Sequence, residues 1–119
     1  KLDNDVIPLA VDFSANGRTL AVGGSDGAVR FLALPDLSVD SVLPAFFGPV
    51  SDLAYAPDGT WLAAVSQDLS LRVIDAQTRA VIFETQAHTD RVLHLAINPA
   101  ATRIVTVGED GVARVWAVQ

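Results

Sequence analysis

Apolar and polar residues alternate along this chain with a period of two, in short runs rich in Val, Ile, Leu and aromatics. That is the pattern of half-buried β-strands and not the 3.6-residue period of a helix. A strand A is predicted at Ile7 to Phe13, Val50 to Tyr55 and Val92 to Ile97, and a strand B at Thr19 to Gly23, Trp61 to Val65 and Arg103 to Val107. Strand C runs from Ala28 to Ala33, Ser70 to Asp75 and Val112 to Ala117. A more polar strand D follows at Ser38 to Leu43 and Ala80 to Thr85. Asn16-Gly17 and Pro57-Asp58-Gly59 between A and B, and Asp26-Gly27 and Asp110-Gly111 between B and C, supply the positive φ of tight turns. Ala100-Ala101 and Asp68-Leu69 stand at equivalent places with poorer turn chemistry, since Leu resists positive φ.

The elements recur because the sequence recurs. Leu20, Leu62 and Ile104 stand 42 residues apart, as do Asp26, Asp68 and Asp110, and Arg30, Arg72 and Arg114. Val11 to Leu34 overlies Leu53 to Ala76 and Leu95 to Val118 without a gap. Self-similarity at this period marks one supersecondary unit copied and stacked, each copy unable to bury its apolar faces alone. Four antiparallel strands per copy make a small twisted sheet, and such sheets stack radially.

Composition narrows the function classes. Half the residues are apolar and 18% are charged, as in a chain that folds. A net charge of −6 with scattered basic residues argues against nucleic acid, whose phosphates need clustered Lys and Arg. No apolar run is long enough to span a bilayer, so no membrane partner is expected and a cytoplasmic setting is the working expectation. With no cysteine there are no disulfides or thiolate metal sites. The chain opens on Lys1 without Met, which suggests a piece of something longer.

AHTDRV (Ala87 to Val92), Asn98-Pro99 and VTVGEDGVARVWAV (Val105 to Val118), with SDGAVRFLAL (Ser25 to Leu34) and APDGTWLAAVSQDLSLRVID (Ala56 to Asp75) as looser copies, resemble the WD-repeat β-propeller family. The resemblance covers essentially the whole chain. It implies an all-β fold of propeller blades, three of them in an incomplete ring: blade 1 at about 4–43, blade 2 at about 46–85, and blade 3 at about 88–119 without its outer strand. In that family a His, a strand B hydroxyl, the B–C turn Asp and a strand C Trp form a hydrogen-bonded set. The third copy keeps all four, as His88, Thr106, Asp110 and Trp116. The second has Phe46, Ala64, Asp68 and Ile74 there, and the first Asn4, Val22, Asp26 and Leu32, so those blades are expected to rely on apolar packing. The family's terminal Asp survives only as Asp75.

His88, Thr106 and Asp110 also carry the parts of a nucleophilic triad. Asp recurs in every copy while His and the hydroxyl do not, as a turn residue would and a single active site would not. The paired acids Glu109-Asp110 and Asp3/Asp5 lack a calcium-loop spacing, and Gly23-Gly24 lacks the helix start of a phosphate loop. His94 alternates to the opposite strand face from Leu93 and Leu95 and reads as a wall or surface residue. Arg30, Arg72 and Arg114, one per blade, read as a solvated strand face. No cofactor, metal or catalytic residue is assigned. In Ala45-Phe46-Phe47-Gly48-Pro49, Phe46 takes the histidine's place and is expected to pack between blades, while Phe47 is a candidate surface anchor.

Three blades do not close a ring, and the missing outer strand is what the last three repeats of a larger propeller would show, an N-terminal strand commonly completing the final blade in that family. The resemblance implies a non-catalytic scaffold, sensor or regulatory module within a multidomain protein. Its partners would be another protein, other domains, remaining blades or further copies of itself. The family's partner face carries the D–A and B–C connections, here Asn4, Asp5, Phe47, Gly48, Thr89, Asp90 and Arg91, with Ser25, Gln67 and Glu109 just before the turn aspartates. Two alternatives stand beside it: a self-assembling ring of two or three copies, and an enzyme using its central channel, which the unbroken regularity of the copies disfavours.

Overall fold

The computed structural model describes residues 5–118. Within them eleven strands form three antiparallel sheets, and there is no helix. The first sheet is β1 (Pro8–Phe13), β2 (Thr19–Gly24), β3 (Ala28–Ala33) and β4 (Ser38–Pro44). The second is β5 (Val50–Tyr55), β6 (Trp61–Ser66), β7 (Ser70–Asp75) and β8 (Val81–Gln86). The third has three strands, β9 (Val92–Ile97), β10 (Arg103–Gly108) and β11 (Ala113–Ala117). Each is a meander in which chain neighbours pair, so strand A to strand D of the sequence become adjacent ribbons.

Turn geometry repeats more strictly than turn chemistry. Gly17, Gly59 and Ala101, 42 residues apart, have φ of 71°, 76° and 57°; Gly27, Leu69 and Gly111 have 83°, 83° and 79°. Ala101 and Leu69 thus adopt the left-handed backbone of their glycine counterparts, at a cost of about 1–2 kcal/mol each. The first is supported by Asn98, whose Oδ1 accepts the N–H groups of Thr102 and Arg103 at 2.9 and 2.8 Å.

The inner strands of the middle sheet pack on both faces, while β8 at its edge is mostly exposed. One face packs Leu53, Leu62, Ala64 and Ile74 against Ala21, Val29 and Phe31 of the first sheet, with Phe46 and Val50 filling the seam. The other packs Trp61, Ala63, Val65, Leu71 and Val73 against Ala87, Val92 and Ile104 of the third, backed by Leu95, Ile97 and Trp116. All six residues of β6 are buried. The outer faces are not so covered: Val11 and Phe13 of β1 are 60% and 61% exposed, and Val115 of β11 is 65% exposed.

Polar contacts fix how the sheets sit together. A strand A carboxylate accepts a backbone N–H from strand A of the next sheet at both seams: Tyr55 N–H to Asp12 at 2.8 Å and Leu95 N–H to Asp52 at 3.0 Å. The link entering each new sheet also bonds the previous B–C turn, Phe46 N–H to the Gly27 carbonyl at 3.0 Å and Ala87 N–H to the Leu69 carbonyl at 2.9 Å. Phe46 is buried in the first seam beneath the Arg72 guanidinium, 4.7 Å from ring centre.

Truncating Phe46 leaves a cavity and strips the apolar support from Arg72. Phe46→Ala is expected to lower unfolding free energy by about 3–5 kcal/mol, whereas Phe47→Ala changes it by less than about 0.5 kcal/mol. Urea titration followed by tryptophan fluorescence measures both.

Candidate functional site

One end of the stack is built from the turns between strands B and C and the links between strands D and A, held together by the recurring aspartates. Each turn Asp accepts the N–H two residues on, Ala28, Ser70 or Val112, at 3.0 to 3.1 Å. Asp68 and Asp110 also accept from the preceding link, Phe47 N–H at 3.0 Å and Thr89 N–H at 3.1 Å. Each pairs with the arginine four residues on: Arg30 with Asp26 at 3.1 and 2.8 Å, Arg72 with Asp68 at 3.4 Å and Arg114 with Asp110 at 3.4 Å.

This corrects the expectation of a solvated arginine face. Arg30 is buried and the Arg72 side chain is 12% exposed; Arg114 is the most open at 41%. Arg72 and Arg114 lie on the strand face turned to the preceding sheet, and Arg30 on the face of β3 opposite Val29 and Phe31; in each case the adjacent turn carboxylate offsets the cost of burying the charge. The signal was present in the sequence, since Asp and Arg recur together four residues apart at the same period.

In the third sheet His88, Thr106, Asp110 and Trp116 meet. His88 Nδ1 lies 3.0 Å from both Asp110 oxygens, and its Nε2 lies 2.8 Å from Thr106 Oγ1, which also accepts the Trp116 Nε1–H at 3.0 Å. The carboxylate can only accept, so Nδ1 carries the proton shared with it. Gly108 lets the imidazole lie against β10, because a Cβ there would sit 2.9 Å from the ring. Thr106 is fully buried, so its hydroxyl is sealed from any substrate. Burial works to raise the Asp110 carboxyl, but the Thr89 and Val112 N–H donors and His88 outweigh it and hold it at about 2.

The other sheets achieve this differently. In the second, Phe46 and Ile74 are buried in apolar contact, and Ser66, which sequence reasoning passed over, supplies the polar link. Its Oγ donates to the Gly48 and Pro49 carbonyls and accepts from Asp68 N–H at 3.1 Å. A lone Ser where the other copies have Gly24 and Gly108 gave little to read. In the first sheet Val22 and Leu32 are buried and Asp26 relies on Arg30; Asn4 lies outside the described residues, as does Asp3.

The remaining candidates lie on this same end. Ser25, Gln67 and Glu109 donate backbone N–H to the carbonyls of Ile7, Pro49 and Arg91 at 2.8 to 3.0 Å, which sets the B–C turns beside the entries to strand A. Phe47 is 97% exposed although its N–H is fixed by Asp68. Asp90 is exposed, and Arg91 makes a two-point pair with Glu109 at 2.5 and 3.0 Å. His94 is away from them, its side chain 75% exposed and Nδ1 3.7 Å from Asp52. Among the described residues no group of three His, Asp or Glu is placed to hold a metal ion.

A family model described as "WD domain, G-beta repeat" matches residues 3–31, 40–75 and 79–117, most of the chain. Periodic tryptophan protein 2 of Saccharomyces cerevisiae is 36% identical over 109 residues, 91% of this chain and 12% of its own length. The 66 kDa stress protein of Physarum polycephalum is 33% identical over 114 residues, and WD repeat-containing protein 1 of Gallus gallus 33% identical over 117. Each of those two matches covers 93% of this chain and 19% of the relative. The chain therefore spans under a fifth of these relatives' length.

Asp110 titrates from 3.8 when unfolded to about 2 when folded, so the stability it contributes is complete above about 3.8 and is lost as pH falls through about 2. The thermal midpoint is expected to drop across that window, and to drop less in Asp110→Asn. Melts followed by circular dichroism at intervals through the window measure the difference in slope.

Proposed function

The chain belongs to the WD-repeat family, whose repeats serve as protein-interaction scaffolds, and we propose that it is a non-catalytic binding module of a larger multidomain protein. Its partner, another protein or a domain of the same protein, docks on the end formed by the D–A links and B–C turns. Further blades, from the same protein or from other copies, cover its two outer sheet faces.

One observation carries this reading: Phe47 projects almost wholly into solvent from a link whose backbone is pinned by Asp68. An aromatic ring on a rigid support is the low-entropy anchor that interfaces favour. Thr89, Asp90 and Arg91 occupy the equivalent place one repeat on and, with Glu109, supply a polar rim, and Ser25 and Gln67 continue it. These residues discriminate partners, while the buried pairs beneath them hold the loops in register.

The test is comparative capture by the immobilised protein and its Phe47→Ala variant, quantified by mass spectrometry. At least one protein is expected to be retained about thirtyfold less by the variant, in line with loss of an interface hot spot, with an unchanged thermal midpoint. Equal capture by Phe47→Ala and Phe47→Asp would remove Phe47 from the interface and with it the basis of the proposal.

A further inference from the structure

At the opposite end of the stack a cleft of about 310 Å³ opens between the first and second sheets, lined by Ser14, Asn16, Thr19, Tyr55, Asp58, Gln77 and Arg79 among others. Its size is at the lower limit for a small-ligand pocket, about 300 Å³. Nothing in the loop-face reading uses it.

The lining is rich in donors. Asn16 Oδ1 already accepts from the Ser14 hydroxyl and Arg18 N–H, at 2.8 and 2.9 Å, which leaves the Asn16 amide hydrogens. Asp58 Oδ1 is taken by the Thr60 N–H and hydroxyl, at 3.0 and 2.8 Å. Tyr55 is held in place by its own N–H on Asp12, and burial pushes its hydroxyl pKa up, so the group remains a donor at neutral pH.

Among the described residues Arg79 is the only cation in the lining, and it is pre-set. Its guanidinium lies over Phe31, 4.6 Å from ring centre, and Nη1 donates to Asp40 at 2.5 Å and Ser41 at 2.8 Å. These contacts use one nitrogen and one flat face, and leave Nε and Nη2 as a donor edge on a residue already immobilised. The turn itself does not ask for arginine: Leu37 occupies the same place in the first sheet with φ of 60°, against 62° for Arg79.

We propose that this inter-sheet cleft binds a single carboxylate, with Nε and Nη2 of the Asp40-paired Arg79 supplying a two-donor edge and Tyr55, Asn16 and Gln77 supplying further orienting donors. One guanidinium set against Asp40 and Asp58 leaves no surplus positive charge, so the ligand is held by directional donors, and a singly charged carboxylate meets less repulsion there than a doubly charged phosphate. An acidic side chain of a peptide and a small free carboxylate share this chemistry.

Amide chemical shifts are followed by NMR while the protein is titrated with acetate, with a capped tripeptide bearing a central glutamate, and with the same peptide bearing glutamine. Shifts at Asn16, Gly59, Gln77 and Arg79 are expected to saturate with a dissociation constant of about 1 mM or tighter for a carboxylate probe, and not for the glutamine peptide. Arg79→Gln and Tyr55→Phe each weaken binding about tenfold, the effect of losing one hydrogen bond to a charged group. Tyr55→Phe keeps the ring and the Asp12 bond, so it reports on the cleft even where Arg79→Gln loosens the seam. Tighter binding of the peptide than of acetate identifies acidic segments as the ligand, and equal binding identifies small carboxylates. The assignment is overturned by the absence of saturable shifts with either carboxylate, by equal response to the glutamine peptide, or by undiminished binding in both variants.

Discussion

A four-stranded sheet with two apolar faces has no interior of its own, and the rest of this structure follows from that constraint. Stability comes from face-to-face burial, so the middle sheet, covered on both sides, is the best packed part of the molecule. The strands themselves are ordinary. What differs between copies is how each seam is filled: by Phe46 in one and by Ala87 and the buried His88 in the other.

The aspartates solve a second problem, that of holding exposed loops at fixed heights on sheets packed by non-directional forces. One carboxylate ties its own turn, the link that enters the sheet and an arginine on the neighbouring strand. Hydrogen bonds to charged groups contribute about 1.5–3 kcal/mol each, enough to fix loop position without deciding the fold. His88, Thr106 and Trp116 extend this arrangement into the core in the third sheet alone. A rigid loop end is the consequence, with Phe47 exposed on it.

Strand positions were legible to within about one residue, because alternation sets a strand's faces and the recurring Asn-Gly and Asp-Gly pairs set its ends. Leu69 and Ala101 show the limit of local reading: both take the left-handed backbone of their glycine counterparts, which neither residue favours. The arginines show another, since a charge on a strand face reads as solvated until its partner is seen, and Asp26 is close to Arg30 through a hairpin, not along a helix. Ser66 and the cleft around Arg79 were out of reach, because both depend on groups from separate turns that come together only when sheets stack.

Native-state amide hydrogen exchange tests the stacking claim most directly, because it reads the stability of each strand in the same molecule. Slowest exchange is predicted in β6 and in the β7 residues it pairs with, with progressively faster exchange toward β1 on one flank and β11 on the other. Uniform protection across all three sheets, or protection greatest in β1 or β11, would contradict it, since each sheet would then be stable without a neighbour.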